Sequence, residues 1–290
     1  MRAAVLGATG FIGRALSPVL AERADEVVAV SRRGDAPAGP GMRAVAADVT
    51  DGEAIRRALD GVEVVYYLVH SLGSAGYGEI DRQAAATVAR EASRAQVSQI
   101  VFLGGLGDDD PNLSPHLRSR AETAAALSRG DVPVTTLRAA VVVGRGSAGF
   151  DTIVALVDRL PVMIAPRWVS MPTQPIALAD VVGYLADVAG HPETTGRTFD
   201  LGGPEVLTYR EMIERIGDLR GRKPRIVEVP ILSPWLSSYW LHLVTPVQAS
   251  VARPLVEGLR NPTLVRDDSI RRLFPRELVP FETAAREALG

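Results

Sequence analysis

The 290-residue sequence predicts a doubly wound α/β fold, a parallel sheet with helices on both faces. Three observations carry that expectation. Short β-branched runs alternate with longer Ala-, Arg- and Leu-rich helical stretches through the first two-thirds of the chain. Val64-Val65-Tyr66-Tyr67-Leu68-Val69 is apolar without alternation, as a strand buried on both faces requires. A glycine-rich turn, Gly7-Ala8-Thr9-Gly10-Phe11-Ile12-Gly13, follows the first apolar run and opens a helix-compatible stretch.

In chain order the strand-like runs are Ala3–Leu6, Glu26–Ser31, Arg43–Ala46, Val64–Val69, Gln99–Leu103 and Val134–Leu137. Helical segments are expected between them near 12–22, 51–60, 79–96 and 116–129. Beyond Arg138, Pro161, Pro166, Pro172 and Pro175 punctuate a loop-rich stretch that also carries Trp168. A helix over Leu178–Ala189 and a strand over Thr198–Leu201 return to the sheet. Thr208 with Glu211 forms a capping-box signature for a helix reaching Leu219. The expected organisation is a dinucleotide-binding core over 1–148 and a mixed segment over 149–290. Within the latter, 176–203 rejoins the core, while 149–175 and 204–290 form a small C-terminal substrate cap.

Composition narrows the chemistry. The net charge of −2 gives no electrostatic reason to expect nucleic acid. Cysteine is absent, which excludes disulfides, thiol nucleophiles and Cys-ligated metals. No metal site is expected. Lys223 is the only lysine among 32 basic residues. The longest apolar stretch, Val229 to Val247, holds three prolines, three serines and a threonine, so no stable membrane span is expected. A cytoplasmic location is the default expectation.

The glycine spacing has a mechanism. Gly7 permits a tight turn, Gly10 lets the backbone approach a pyrophosphate, and Gly13 allows close helix–strand packing. Thr9, Phe11 and Ile12 complete the turn, and the helix N-terminus favours the anion. The second strand ends in Ser31-Arg32-Arg33, where a carboxylate would select NAD(H) by holding the ribose hydroxyls. Adjacent guanidiniums suit a 2′-phosphate, which favours NADP(H) over NAD(H). Asp35 is the alternative, a displaced NAD-type carboxylate. Asp48-Val49 suits an adenine contact, or Asp48 caps the following helix.

Through these motifs the chain resembles the atypical or extended short-chain dehydrogenase/reductases, a Rossmann family related to the epimerase/dehydratase and NmrA-like groups. The resemblance covers roughly residues 1 to 205. Its landmarks are the Gly7–Gly13 turn, Asp48-Val49, Tyr67-Leu68-Val69-His70, Val101-Phe102-Leu103-Gly104-Gly105, Leu137-Arg138-Ala139-Ala140-Val141 leading to Gly144, and Gln174-Pro175-Ile176-Ala177-Leu178-Ala179-Asp180. SPHLRSRAE, PVMIAPRWV and the LSSYW…VTP segment resemble a bacterial subgroup of atypical members. The resemblance implies cofactor contacts at Leu68, Val69 and Gly104.

It also implies a Tyr-x-x-x-Lys pair, in which tyrosine transfers the proton and lysine tunes it and binds ribose. The residue four before Lys223 is Leu219, so this sequence has no such pair. At the matching place stands His116-Leu117-Arg118-Ser119-Arg120-Ala121-Glu122, with histidine for tyrosine and arginine for lysine. Gly104 or Gly105 stands where the family has serine. His116 can serve as general acid, or simply begins a helix after Ser114-Pro115. Arg120 can hold the ribose, or is a surface contact. His70 is a second polar candidate. Tyr66 and Tyr67 end the fourth strand and face opposite sides of the sheet, while Tyr77 sits in a Gly-rich loop placed to touch substrate.

Trp235, Tyr239 and Trp240 concentrate aromatic area in the C-terminal part. Trp235 and Tyr239, with Trp168 at the rim, line an apolar substrate pocket, or else pack the cap or meet a membrane or partner. The expected function is an NADP(H)-dependent oxidoreductase acting on a small, partly apolar carbonyl, enone or hydroxyl substrate. The alternatives are an NADP(H)-binding sensor without turnover and a non-redox isomerase or cyclase. Homo-oligomerisation is open.

Overall fold

The computed structural model describes residues 1–72, 74, 76–107, 113–229 and 261–290. Six strands alternate with four helices in the first half: β1 (Arg2–Leu6), α1 (Phe11–Ala21), β2 (Glu26–Ser31), β3 (Met42–Ala46), α2 (Gly52–Ala58), β4 (Val64–Tyr67), α3 (Tyr77–Arg94), β5 (Gln99–Gly105), α4 (Pro115–Leu127) and β6 (Val134–Ala139). The short β7 (Val142–Val143), α5 (Ala148–Arg159), β8 (Val162–Pro166), β9 (Pro172–Thr173), β10 (Ile176–Ala177) and α6 (Leu178–Asp187) follow. Next come β11 (Thr198–Leu201), β12 (Leu207–Thr208), α7 (Tyr209–Leu219) and β13 (Arg225–Val229). The main sheet has seven parallel strands in the order β11-β6-β5-β4-β1-β2-β3. The doubly wound architecture expected from the sequence is therefore present.

Parallel strands must bury both faces, and this sheet does so with two apolar layers. Leu16 and Leu20 of α1 join Val181 and Leu185 of α6 on one face. Ile55 of α2, Val88 of α3 and Leu127 of α4 join the other. Tyr66 and Tyr67 are fully buried, one in each layer, as alternation along a strand dictates. A third apolar group gathers α5, α7 and the helix Phe281–Leu289. Ile270 packs with the α1–α6 layer, so the last thirty residues touch the core as well as the third group. Among the described residues no helix is long and apolar enough to cross a membrane.

Two local expectations need correction. The strand expected over Val64–Val69 ends at Tyr67, and Leu68–His70 leave the sheet to border a crevice. Asp48 does not cap α2. Asp51 does, accepting from the Glu53 and Ala54 amides, while Asp48 accepts from the Thr50 amide and hydroxyl. The signature at Thr208 is a full capping box.

Candidate active site

Strand order reverses between β1 and β4, and a crevice of about 400 Å³ opens beyond their carboxyl ends. Backbone forms one wall. Gly7 adopts φ +89°, and a Cβ there would lie 2.9 Å from the Leu68 carbonyl oxygen. At Gly13 a Cβ would lie 2.8 Å from Ala8 Cα and collide with the Gly7 carbonyl. The Gly7 and Ala8 amides both donate to Val30 O, which ties the turn to β2. Gly10 begins α1 with no capping side chain and no acidic residue in the first turn. Gly10, which opens this eleven-residue helix, lines the crevice, so the positive end of the helix dipole lies beside it, which fits a pyrophosphate.

The crevice brings together most of the residues the sequence singled out. Gly7, Thr9, Gly10, Ser31, Arg32, Asp48, Val49, Leu68 and Val69 line it. Arg33 joins Thr9, Ser31 and Arg32 around an adjoining hollow of about 390 Å³. There Asp35 accepts from the Ser31 hydroxyl at 2.9 Å and pairs with Arg33 at 2.8 Å. The Arg33 and Ser31 contacts hold the Asp35 carboxyl below its ordinary range. Arg33 is therefore already matched by a carboxylate, whereas Arg32 stands at the junction of both hollows. Phe11 lies against the Gly144–Gly146 turn, Ile12 packs beside the α1–α6 layer, and Gly104 sits against the Phe102 ring on β5. None of these three lines the crevice.

His70 ends the opposite wall, and its neighbourhood contains the residue that sequence reading missed. His70 Nδ1 lies 2.6 Å from Asp81 Oδ2, and His70 Nε2 lies 3.3 Å from His116 Nδ1. The second Asp81 oxygen accepts from the Ser71 amide at 2.9 Å. Asp81 is fully buried. Burial alone would raise its carboxyl, yet the His70 and Ser71 contacts hold it below the ordinary value, so it stands ionised. Burial pushes His70 down against the pull of Asp81, and Arg120 pushes it further. Burial pushes His116 down to about 3, with His70 and Arg120 adding to the effect. His116 also sits in the first turn of α4, where the helix dipole disfavours a cation. The Asp81 signal was present in the sequence. Asp81, Ala85, Val88 and Ala92 fall on one helical stripe, so a carboxylate occupies the apolar face of α3.

The Arg120 side chain points into the protein. It donates through Nη1 to Val69 O at 3.2 Å and through Nη2 to Leu103 O, with its guanidinium 4.6 Å above the Phe102 ring. It thus joins the segment after β4 to β5. Tyr77 meets the His70 ring edge-on at 6.1 Å. Tyr66 gives its hydroxyl to Leu185 O, and burial raises both the Tyr66 and Tyr67 hydroxyls far above the usual phenol. Trp168 stacks edge-on against Tyr209 in the third apolar group, away from the crevice lining. Trp235 and Tyr239 lie outside the described residues. Among the described residues no group of three His, Cys, Asp or Glu side chains is arranged for a metal. His70 lies between Asp81 and His116, so their donors form a line instead of converging.

Residues 7–151, half of the chain, match the family model described as NAD(P)H-binding. The chain is 28% identical over 251 residues to the chloroplastic divinyl chlorophyllide a 8-vinyl-reductase of Oryza sativa subsp. indica, spanning 78% of this chain and 60% of that protein. It is 26% identical over 239 residues to the ceramide reductase of Caulobacter vibrioides, spanning 78% and 73%. Among solved structures, the NADPH-dependent quinone oxidoreductase of Escherichia coli, complexed with NADPH, matches with a TM-score of 0.79 at 20% identity over 100% of both chains. Citrobacter sp. triphenylmethane reductase, complexed with NADP(H), gives 0.77 at 17% over 99% of this chain and 100% of that one. At these identities the two structural matches are likenesses of fold.

Proposed function

Because this chain belongs to the NAD(P)H-binding family, we propose that it is an NADP(H)-dependent oxidoreductase acting on a small, partly apolar carbonyl, enone or hydroxyl substrate. The observation that carries the reading is the continuity of one crevice, from the open end of α1 past Ser31 and Arg32 to His70. The α1 N-terminus and the Gly7–Gly13 turn would hold the pyrophosphate, Arg32 the 2′-phosphate, and Asp48-Val49 the adenine edge. Leu68 and Val69 would lie along the nicotinamide half. A bound nicotinamide supplies or accepts the hydride. His70 and His116 handle the accompanying proton at the far end, which Tyr77 and the half-exposed Ile80 make partly apolar. The substrates named for the relatives, a vinyl group on a chlorophyllide and a ceramide, support an apolar substrate of this kind.

Calorimetric titration of the cofactor-stripped protein with NADPH and NADH side by side tests the reading. Preference for NADPH by tenfold or more is expected. Equal affinity would remove the 2′-phosphate assignment, and binding of neither would remove the function. A sensor that binds cofactor without turnover is the second reading. Arg120 favours it, because the cation at the family's ribose-binding position is engaged with two backbone carbonyls.

A further inference from the structure

Asp81 has no role in the reading above, yet it dictates the proton pattern of both histidines. An ionised carboxylate only accepts, so His70 must carry a proton on Nδ1 to meet it. A neutral His70 then has a lone pair on Nε2, and the 3.3 Å contact forces His116 to donate from its own Nδ1. His116 Nε2 is left with a lone pair. One added proton reverses the second contact. His70, now protonated on both nitrogens, donates to His116 Nδ1, and His116 Nε2 carries a hydrogen. The positive charge then rests on His70 beside Asp81, and His116 itself stays formally neutral. That placement is consistent with the strong resistance of His116 to becoming a cation.

We propose that Asp81, His70 and His116 form a single proton relay in which His116 Nε2 is the exchanging atom and Asp81 is the positioning residue. The inference rests on the oxidoreductase reading. When a carbonyl is reduced, hydride addition breaks the C=O π bond and leaves an oxyanion. His116 Nε2 gives that oxygen its proton, and His116 Nδ1 recovers one from His70 Nε2. Both rings end neutral beside the ionised Asp81, one proton short, and a proton from solvent restores the loaded state. Oxidation of a hydroxyl runs the same transfers backwards, with neutral His116 Nε2 taking the hydroxyl proton. No described residue forms a hydrogen bond with His116 Nε2. Among the described residues, the titratable and charged groups around the two rings are Asp81 and Tyr77 from α3 and Arg120 from α4, with Tyr67 of β4 facing Asp81 and Arg120.

The test is ring-nitrogen NMR of the full-length protein, free and saturated with NADP⁺, for wild type, Asp81→Asn, Asp81→Glu and His116→Gln. In the wild type His70 is expected as the Nδ1–H form, and both rings should shift at one common pH midpoint. Asp81→Asn should lower that midpoint by about one pH unit, a tenfold effect, and alter the tautomer of His116, which Asp81 does not touch. Asp81→Glu should restore part of the shift. His116→Gln should leave the His70 Nδ1–H in place, which keeps the idea testable if Asp81→Asn fails to fold. Separate midpoints, or an Asp81→Asn effect confined to His70, would overturn the relay. Loss of NADP⁺ binding would instead strike the oxidoreductase reading and leave the tautomers standing.

Discussion

At the dinucleotide end of the crevice the working groups are backbone amides and three glycines within seven consecutive residues, Gly7 to Gly13. At the end proposed to move the proton they are side chains from three separated segments: His70 after β4, Asp81 in α3 and His116 in α4. The first end depends on the absence of Cβ atoms. The second depends on how α3 and α4 pack against each other and against the sheet. A backbone-built site therefore fails by intrusion, and a side-chain-built site fails by deletion.

Gly13→Val should break the first end most severely. The new side chain must force Ala8 and Gly7 aside, which costs about 1–3 kcal/mol of stability and should abolish cofactor binding. Urea unfolding and calorimetry read the two effects together, and wild-type affinity in this variant would sink the cradle. His116→Gln should leave cofactor affinity within about twofold while lowering kcat by ~10²–10⁴, the range of one general acid–base group. Steady-state kinetics beside calorimetry separates those effects. A raised KM with unchanged kcat would make His116 a binding residue only. Arg32→Glu should weaken NADPH by about 10- to 100-fold, ~1.4–2.7 kcal/mol, with little change for NADH. An equal loss for both cofactors would mean that Arg32 does not read the 2′-phosphate.

Two smaller effects sharpen the contrast. The folded His116 titrates near 3, below the ordinary histidine value, so between those limits the unfolded chain binds more protons. Stability is thus full above about pH 6.5 and falls as the pH drops toward 3. Urea midpoints from pH 7 to 4 should decline by the equivalent of up to about 1 kcal/mol per pH unit, and less steeply in His116→Gln. Identical slopes would place the acid sensitivity elsewhere. Asp35→Asn, which frees Arg33, should tighten NADPH by about threefold, roughly 0.7 kcal/mol. Weaker binding by calorimetry would make Asp35 a cofactor ligand in its own right.

The same contrast accounts for what the sequence disclosed. The doubly wound parallel sheet follows from apolar runs alternating with helical stretches, and the glycine turn is contiguous, so both were legible. His70 and His116 were visible singly, but 46 positions separate them, and only the placing of α4 beside the segment after β4 reveals their contact. Asp81 did leave a signal, its place on the apolar stripe of α3, but between exposed Glu79 and Arg82 it reads as one more surface charge. Arg120, read as a ribose or surface contact, grips two carbonyls, since nothing in HLRSRAE indicates which way a guanidinium folds. Trp168, read as the rim of a pocket with Trp235 and Tyr239, packs against Tyr209, a contact between distant segments.

That grip has a consequence for substitution. Arg120 bridges Val69 O and Leu103 O with two nitrogens of one planar fork, which a lysine's single ammonium on a flexible stem cannot reproduce in the same geometry. Arg120→Lys would therefore keep the charge and lose the bridge between β5 and the segment after β4, so at this position shape matters more than sign.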